Sequence, residues 1–331
     1  MRVLVTGASG LLGGDVARAL AARGDDVTVL QRRPSGLRLR EVLGDITELD
    51  SLTRAVDGCD AVVHLAAKVN VTGSWEDYRR INVDGTEALL QACLGADVRR
   101  MVFVSSPSVA HAGRSLVGAG SGRADPERAR GHYARSKAMA EQRALAADAR
   151  GELAVVAVRP HIVWGPGDTQ LVERIGRRAR SGRLPVIGSG APLVDTIYID
   201  NAVDALVAAL DRCDDARGQS LVVTNGEPRP IGEILAGWAR ATGAPAPTRH
   251  VPAVLARWAG SGVDAVTALR ERLGHDLTSD PPITRFLAEQ LSTAHWFDQR
   301  RTRQVLGWAP RVSLDEGFAR MRRHYAHHPL T

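Results

Sequence analysis

Short apolar runs alternate with amphipathic stretches over the first 160 residues of the chain. The apolar runs predict strands over residues 2–6, 26–31, 60–64, 101–105 and 154–158. The stretches between them repeat their apolar residues at helical spacing and predict helices over residues 11–23, 48–56, 77–95 and 133–148. Strands that alternate with helices are typical of βαβ units in a parallel sheet. We therefore predict an α/β fold that binds its ligand at the carboxyl ends of the strands.

Beyond residue 160, proline and glycine interrupt this pattern. Helical spacing predicts helices over residues 201–211 and 230–242, with a strand over 220–223 between them. The stretch 251–296 is apolar and helical, and Ser279-Asp280-Pro281-Pro282 has the form of a helix start. We predict a first domain over residues 1–165, to which the chain returns around 193–225, and a smaller, mainly helical cap over 166–331.

The composition is that of a folded chain with an unusual set of basic residues. Of the 331 residues, 44% are hydrophobic, which excludes intrinsic disorder. The net charge is +6, and the chain has 41 arginines against two lysines, Lys68 and Lys137. Basic residues are scattered among acidic ones, and neither a zinc-finger spacing nor an aromatic RNA-binding motif is present. We therefore predict no nucleic-acid partner.

Other compositional features limit where the chain works. No run reaches the roughly 18 uncharged apolar residues that a membrane-spanning helix needs. Cys59, Cys93 and Cys213 are odd in number and far apart, which indicates neither a disulfide framework nor a metal site. We therefore expect a cytoplasmic protein without a bound metal.

The first predicted strand ends in a glycine-rich turn with the spacing Gly7-x-x-Gly10-x-x-Gly13. Glycine permits a tight turn and lets backbone amides approach a pyrophosphate, which then faces the N-terminus of the following helix. This position predicts a dinucleotide site, and a tight turn without a ligand is the alternative. Ser9, Leu11 and Leu12 are further candidate cofactor contacts within the turn.

The end of the second predicted strand distinguishes the two nicotinamide dinucleotides. An acid there would accept from the 2′-hydroxyl of NAD, but the chain reads Gln31-Arg32-Arg33. Arginine suits a 2′-phosphate, so we predict NADP(H) with Arg32 and Arg33 as its ligands. NAD(H) and two solvated surface arginines are the alternatives. Asp45 either accepts from the adenine amino group or caps the next helix.

Tyr133 and Lys137 are four residues apart on a predicted helix, so both project from one face. An ammonium beside a phenol favours the phenolate and lowers the phenol pKa, which makes a proton donor and acceptor. Of the four tyrosines, only Tyr133 has a lysine four residues on. Ser106 follows the predicted strand 101–105 and is the first candidate for polarising a substrate carbonyl, with Ser108 second.

Together these residues resemble the extended short-chain dehydrogenase/reductase family. The likeness rests on the TGxxGxxG start, Gly44-Asp45, His64-Leu65-Ala66-Ala67, Ile81-Asn82-Val83, Ser106, Tyr133-x-x-x-Lys137 and Arg159-Pro160-x-x-Val163-Trp164-Gly165-Pro166-Gly167. Later segments, Val194–Ala202, Pro281–Phe286 and His295–Phe297, look like the 3β-hydroxysteroid dehydrogenase branch. The segment Ala110–Arg130 matches no pattern of this kind.

The resemblance implies a Rossmann-type doubly wound parallel sheet and Ser-Tyr-Lys catalysis with a hydride from nicotinamide. It implies cofactor contacts at positions that match the family motifs: Asp45, Ile46, Ala66, Ala67, Tyr133, Lys137, Pro160, Ile162 and Val163. We name Lys68, Ser108, His161 and Trp164 as candidate substrate contacts. Lys68 is expected to pair with a substrate carboxylate, and a plain surface lysine is the alternative.

We therefore predict an NADPH-dependent reductase acting on the ketone of a bulky apolar substrate, such as a β-keto acid. A 3β-hydroxysteroid or sterol dehydrogenase is the first alternative, and a nucleotide-sugar epimerase is the second. Arg257 and Trp258 suggest peripheral contact of the cap with a membrane surface, although ordinary core packing accounts for most of the apolar residues between 251 and 296. A homodimer is a further expectation.

Overall fold

A computed structural model describes residues 1–69, 73–110, 113–148, 151, 153–272 and 285–330. Over 264–272 and 285–287 it describes the backbone only. The strands within these residues are, in chain order, β1 (Arg2–Thr6), β2 (Asp26–Gln31), β3 (Arg40–Leu43), β4 (Ala61–His64), β5 (Arg100–Val104), β6 (Leu116–Ala119), β7 (Ala154–Pro160), β8 (Val163–Trp164), β9 (Val186–Ile187), β10 (Leu193–Val194), β11 (Ile197–Tyr198), β12 (Ser220–Val223), β13 (Arg229–Pro230), β14 (His250–Val251) and β15 (His295–Phe297). The α-helices are α1 (Leu11–Ala22), α2 (Leu49–Val56), α3 (Trp75–Tyr78), α4 (Gly85–Gly95), α5 (Gly131–Asp148), α6 (Val172–Arg180), α7 (Ile199–Asp211), α8 (Cys213–Ala216), α9 (Ile231–Ala241), α10 (Ala253–Arg272), α11 (Arg285–Gln290), α12 (Arg300–Leu306) and α13 (Leu314–His327).

A seven-stranded sheet organises the molecule, with the strand order β12-β7-β5-β4-β1-β2-β3. All its pairings are parallel, and the order reverses direction after β3, at the step from β1 to β4. This arrangement confirms the predicted Rossmann-type doubly wound sheet. The reversal opens a crevice at the carboxyl ends of β1 and β4, where such sheets bind ligands.

The sheet is buried on both faces because alternate residues of each strand face opposite layers. Val3 and Val5 of β1 join the cluster that includes α1 and α7, whereas Leu4 joins the cluster that includes α2 and α4. Every residue of β4 and β7 is buried, so these strands read as continuous apolar runs rather than as alternating ones. The core therefore holds the carboxyl ends of the central strands rigidly.

A smaller sheet with the order β13-β10-β15-β6 accompanies the helices of the second half. Its strand β6 belongs to the segment 110–130, which matched no sequence pattern, and pairs in parallel with β15. Strand β12 joins the large sheet although it follows residue 166. The proposed division at residue 165 stays a prediction, with both halves contributing strands to each other's sheets.

Two predicted elements differ from the structure, and β3, at the edge of the large sheet, was not predicted. The helix predicted over 77–95 is divided into α3, a π-helical segment over Arg79–Asp84, and α4. The stretch 251–296, expected to be helical, includes strands at either end in β14 and β15. The predicted helix start at Ser279–Pro282 lies outside the described residues. Within the described chain no helix is both long and apolar enough to cross a bilayer.

Candidate functional site

A cleft of about 1070 Å³ lies at the carboxyl ends of the central strands. Its walls include most of the residues predicted from the sequence: Gly7, Ser9, Gly10, Leu11, Leu12, Gly13, Arg32, Asp45, Ile46, Ala66, Ala67, Lys68, Ser106, Tyr133, Lys137, Pro160, Ile162 and Val163. Segments from Gly7 to Val163 of the chain thus form one cavity. Arg33, Ser108, His161 and Trp164 are absent from its walls.

The glycine turn fits a pyrophosphate. Gly7 has a φ of 77°, and a Cβ there would lie 2.7 Å from the amide nitrogen of Ala66. A Cβ on Gly13 would collide with the carbonyl oxygen of Gly7, so α1 can pack this close to β1 only without a side chain. Gly10 caps α1 without any side-chain bond to the first-turn amides. Those amides face the cleft as a ready anion site.

The end of β2, which distinguishes NADP from NAD, has Gln31 as its last residue, followed by Arg32 and Arg33 in place of an acid. Gln31 is buried and donates from Nε2 to Glu41 Oε1 (2.9 Å), which also accepts from the backbone of Ser35 (2.9 Å). Arg32 and Arg33 are both exposed, and Arg32 alone of the two lines the cleft. A negatively charged group at this end of the cleft would meet Arg32 first.

Asp45 lies in the cleft wall and stabilises its own turn. Its Oδ1 accepts from the backbone nitrogen of Thr47 (2.9 Å) and from Thr47 Oγ1 (3.0 Å). The helix cap of α2 is Glu48. Asp45 is therefore not the cap itself, and its position in the wall leaves the adenine contact as a proposal.

The hydroxyls of Ser106, Ser108 and Tyr133 form a hydrogen-bonded cluster near the end of β5. Ser108 Oγ donates to Ser106 Oγ (2.9 Å), and the Ser106 side chain is hydrogen-bonded to the Tyr133 phenol. Ser108 thus helps to hold the Ser106 hydroxyl in place. Since Ser108 does not line the cleft, the predicted direct contact of Ser108 with a substrate is not supported. The neighbouring Ser105 Oγ is buried in the cleft wall without a hydrogen-bond partner among the described residues. A bound molecule would satisfy that hydroxyl.

Tyr133 and Lys137 lie on one face of α5, as predicted, but burial dominates their ionisation. Desolvation lowers the pKa of Lys137 to about 7, against a smaller opposing effect of Glu141, and raises the pKa of Tyr133 to about 12. The expected lowering of the Tyr133 pKa by Lys137 is thus wrong for this structure. The physical reason is burial of the phenol, which outweighs the lowering effect of its hydrogen bond with Ser106. Lys137 Nζ itself donates to the carbonyl oxygen of Val104 at 2.6 Å and lies 4.2 Å from the Phe103 ring centroid. Tyr133 is therefore a protonated phenol.

His64 ends β4 beneath the cleft as a neutral ring. Its Nδ1 is 2.7 Å from Thr6 Oγ1, and its Nε2 is 3.2 Å from Thr86 Oγ1. Since the Thr86 hydroxyl donates to Asn82 O (2.7 Å), Thr86 accepts from Nε2–H, and Nδ1 accepts from Thr6. Burial lowers the pKa of His64 to about 3, with a smaller contribution from Lys137. The family motif includes His64 but predicts no role for it, and the structure shows that its ring links Thr6 to Thr86.

Lys68 follows the two cleft-lining alanines and reaches the same cavity. Its Nζ lies 3.9 Å from Asp77 Oδ2 and 5.4 Å from the Tyr78 ring centroid, and its side chain is 21% exposed. A Cβ on Gly73 would lie 2.6 Å from Lys68 Cε, so a glycine at 73 leaves room for the lysine. Among the described residues, Asp77 is the ion-pair partner of this ammonium, and the distance makes the pair a weak one.

The segment after β7 closes the cleft opposite the glycine turn. Pro160, Ile162 and Val163 line it, as expected. Ile162 has a φ of 49°, which is uncommon for a β-branched residue and is typical of strained functional positions.

His161 and Trp164, expected as substrate contacts, instead pack inside the protein. His161 Nδ1 is 2.5 Å from Asp195 O, and its ring meets Phe297 edge-on at 5.1 Å. Trp164 is fully buried, stacks on Phe318 at 4.8 Å and donates to Thr196 Oγ1. Both residues join the cap to the sheet, because β8 pairs with β11 at this point.

Arg18 of α1, which was not predicted as a site residue, lines the cleft one turn beyond Gly14. The turn Gly167–Gln170, which begins at the last residue of the Arg159–Gly167 motif, also lines the cleft. Asp168 in that turn accepts from the backbone of Gln170 and Leu171 at 3.0 Å. The helical spacing from the glycine turn was the available signal for Arg18.

Known proteins resemble the chain along its whole length. The profile of the NAD dependent epimerase/dehydratase family matches residues 3–224. A 2-alkyl-3-oxoalkanoate reductase of Stenotrophomonas maltophilia is 38% identical and aligns over 97% of this chain and 98% of that protein. A 3 beta-hydroxysteroid dehydrogenase/Delta 5-->4-isomerase of Mycobacterium tuberculosis is 29% identical over 96% of this chain and 88% of that protein. The solved structure of MoeE5 in complex with UDP-glucose and NAD is 28% identical, with a TM-score of 0.75 and 99% of each chain covered.

Proposed function

This chain belongs to the NAD dependent epimerase/dehydratase family, and we propose that it reduces the 3-ketone of a 2-alkyl-3-oxoalkanoate to the 3-hydroxy acid with NADPH. Family membership and the named relatives confirm the sequence-based resemblance to extended short-chain dehydrogenases and the prediction of an oxidoreductase. The observation that carries the proposal is the convergence of Ser106, Tyr133 and Lys137 on the cleft that starts at the glycine turn.

The residues perform the reduction by positioning and electrostatics. A bound nicotinamide dinucleotide supplies the hydride to the carbonyl carbon. Ser106 and Tyr133 hydrogen-bond the ketone oxygen, and Tyr133 donates its proton to that oxygen. The raised pKa of Tyr133 keeps this proton in place until it is needed. Lys137, ionised in part near neutrality because its pKa is about 7, then stabilises the phenolate.

The preference for NADP(H) is argued from the end of β2. Arg32 lines the cleft there, Arg33 is exposed beside it, and the Glu41 carboxylate is occupied by Gln31 and Ser35. A 2′-phosphate would therefore meet positive charge. The competing cofactor is NAD, which the solved MoeE5 complex contains.

Lys68 is proposed to bind the carboxylate of the substrate. Lys68 lines the cleft, and its ammonium has Asp77 as a partner at 3.9 Å, a distance at which a better-placed carboxylate would compete. This assignment favours a β-keto acid over a neutral ketone. The 2-alkyl-3-oxoalkanoate reductase relative is named for a substrate of that class.

A hydroxysteroid dehydrogenase is the second candidate, and the Mycobacterium tuberculosis relative favours it. The test is oxidation of NADPH and of NADH against β-keto acids, ketosteroids and nucleotide sugars. Turnover of the β-keto acids with NADPH is expected. Turnover of ketosteroids alone would replace the first proposal with the second.

The cap is also proposed to touch a membrane surface rich in anionic lipid. Val254, Leu255 and Trp258 of α10 are 62%, 60% and 74% exposed on one helix face. Arg257, the cation expected beside Trp258, is half-buried and donates to Ser292 Oγ (2.9 Å), whereas Arg249 is exposed shortly before the helix. An apolar face beside a cation suits the interface of an anionic bilayer. The homodimer and the cytoplasmic location stay predictions.

A further inference from the structure

Asn82 holds the backbone of Lys68 from both sides. It lies in the π-helical segment Arg79–Asp84 and is 2% exposed. The Lys68 nitrogen donates to Asn82 Oδ1 (2.7 Å), and Asn82 Nδ2 donates to the Lys68 carbonyl oxygen (3.1 Å). Two bonds to one residue fix both the position and the direction of that residue. π-Helical turns inside α-helices are frequent at functional sites.

The same amide also reaches the helix that carries Tyr133. Asn82 Nδ2 donates to Ser136 Oγ (2.9 Å), and Ser136 Oγ donates to the carbonyl oxygen of Tyr133 (2.9 Å). Ser136 is fully buried. An unbroken path of hydrogen bonds therefore joins the backbone of Lys68, in the loop after β4, to the backbone of Tyr133 in α5.

We propose that Asn82 and Ser136 are positioning residues that set the separation between Lys68 and Tyr133. This inference rests on the proposed function, in which Lys68 holds a carboxylate and Tyr133 protonates a ketone. In a β-keto acid one carbon separates these two groups, so their distance is nearly constant whatever the alkyl chains. A fixed spacing between the two protein groups therefore selects this substrate class, because misplacement of a reacting group by an ångström lowers the rate strongly.

Ser136→Ala tests the proposal, since it removes the link to Tyr133 and leaves both Asn82 bonds to Lys68. The assay is oxidation of a 2-alkyl-3-hydroxyalkanoate and of its methyl ester, which are chemically stable. We expect the ratio of kcat/KM for acid over ester to fall about tenfold, the effect of losing roughly 1.4 kcal/mol. The change should lie mainly in KM for the acid. Equal losses on acid and ester would overturn the proposal.

Asn201→Ala is the matched control. Asn201 is also buried and holds one backbone residue from both sides, through Val312 N (3.0 Å) and Val312 O (2.7 Å), away from the cleft. Asn201→Ala should lower the melting temperature of the protein and leave the acid-to-ester ratio of kcat/KM unchanged. If Ser136→Ala does not fold, Asn82→Asp, which keeps the acceptor for Lys68 N and loses both donors, gives the same readout.

A double variant separates positioning from a general structural role. The double variant Lys68→Met/Ser136→Ala should have the same acid-to-ester ratio of kcat/KM as Lys68→Met alone. A lower ratio in the double variant would contradict the proposal. A wild-type protein that does not oxidise the acid, or does not prefer it to the ester, would refute the proposed function. A wild-type preference that survives Ser136→Ala would refute only this inference.

Discussion

Lys137 donates from Nζ to the carbonyl oxygen of Val104, 2.6 Å away at the end of β5. The bond fixes the ammonium against the strand that presents Ser106. Burial of the neighbouring Tyr133 phenol raises its pKa to about 12, against a smaller opposing effect of the hydrogen bond with Ser106. A phenol that keeps its proton suits the reductive direction, in which Tyr133 gives that proton away.

Replacement of Tyr133 by phenylalanine should abolish turnover and leave cofactor binding intact. General acid catalysis contributes on the order of 10²- to 10⁴-fold, so kcat should fall by that factor. Stopped-flow turnover and quenching of NADPH fluorescence measure the two effects. Tyr198→Phe is the control, because Tyr198 is buried against Trp164 outside the cleft wall. Unchanged turnover in Tyr133→Phe would remove the catalytic assignment.

Replacement of Arg32 by alanine should weaken NADPH and spare NADH. Loss of one charge-assisted hydrogen bond costs about 1.5–3 kcal/mol, which corresponds to a roughly ten- to hundredfold rise in KM for NADPH. Steady-state kinetics with both cofactors measures the change. Arg38→Ala, an exposed arginine outside the cleft wall, should change neither value. An equal effect of Arg32→Ala on both cofactors would speak against a 2′-phosphate contact.

Lys68 and Asp77 should act in opposite directions on an acidic substrate. Lys68→Met removes the charge partner and should raise KM for a β-keto acid roughly ten- to hundredfold, with little effect on its methyl ester. Asp77→Asn releases the ammonium from its ion pair and should lower KM for the acid a few-fold, since such an exposed pair is worth about 0–1 kcal/mol. Equal effects of Lys68→Met on acid and ester would show that Lys68 does not hold the carboxylate.

His64 should make the protein less stable in acid. The folded pKa is about 3 and the ordinary value is 6.5, so between these values the unfolded chain binds a proton that the folded protein does not. The free energy of unfolding therefore falls as the pH drops through that window, by up to about 1.4 kcal/mol per pH unit. Urea titrations across the window should show a steeper decline for the wild type than for His64→Gln. His327→Gln, an exposed histidine, should keep the wild-type slope; parallel slopes for wild type and His64→Gln would contradict a neutral buried ring.

Trp258→Ser should reduce binding to anionic vesicles. Burial of one large apolar side chain contributes about 1.5–3 kcal/mol, so the partition coefficient should fall tenfold or more. Co-sedimentation with phosphatidylglycerol vesicles measures it, and phosphatidylcholine vesicles should bind less. Val117→Ser, at a 64% exposed residue of β6, is the control. Absence of wild-type binding to either vesicle would reject membrane contact.

Sequence alone was sufficient for the features that depend on short spacings. The glycine turn, the apolar runs that build β1 and β2, and the placement of Tyr133 and Lys137 on one helix face follow from local geometry, and the structure has them as predicted. Such features need only backbone sterics and the periods of strand and helix. The family motifs then extended this to the wall residues after β4 and β7.

Only the tertiary structure decided what depends on burial and on partners distant in the chain. Trp164 has a motif position next to the cleft, yet its contacts with Phe318 and Tyr198 place it in the core. Lys137 was expected to lower the pKa of Tyr133, but desolvation by the folded sheet raises it. The hydrogen bonds of Asn82 with Lys68 and Ser136 join the π-helical segment to the loop after β4 and to α5. Residue spacing carries no information on such desolvation or on contacts between distant segments, because both arise only when the layers pack.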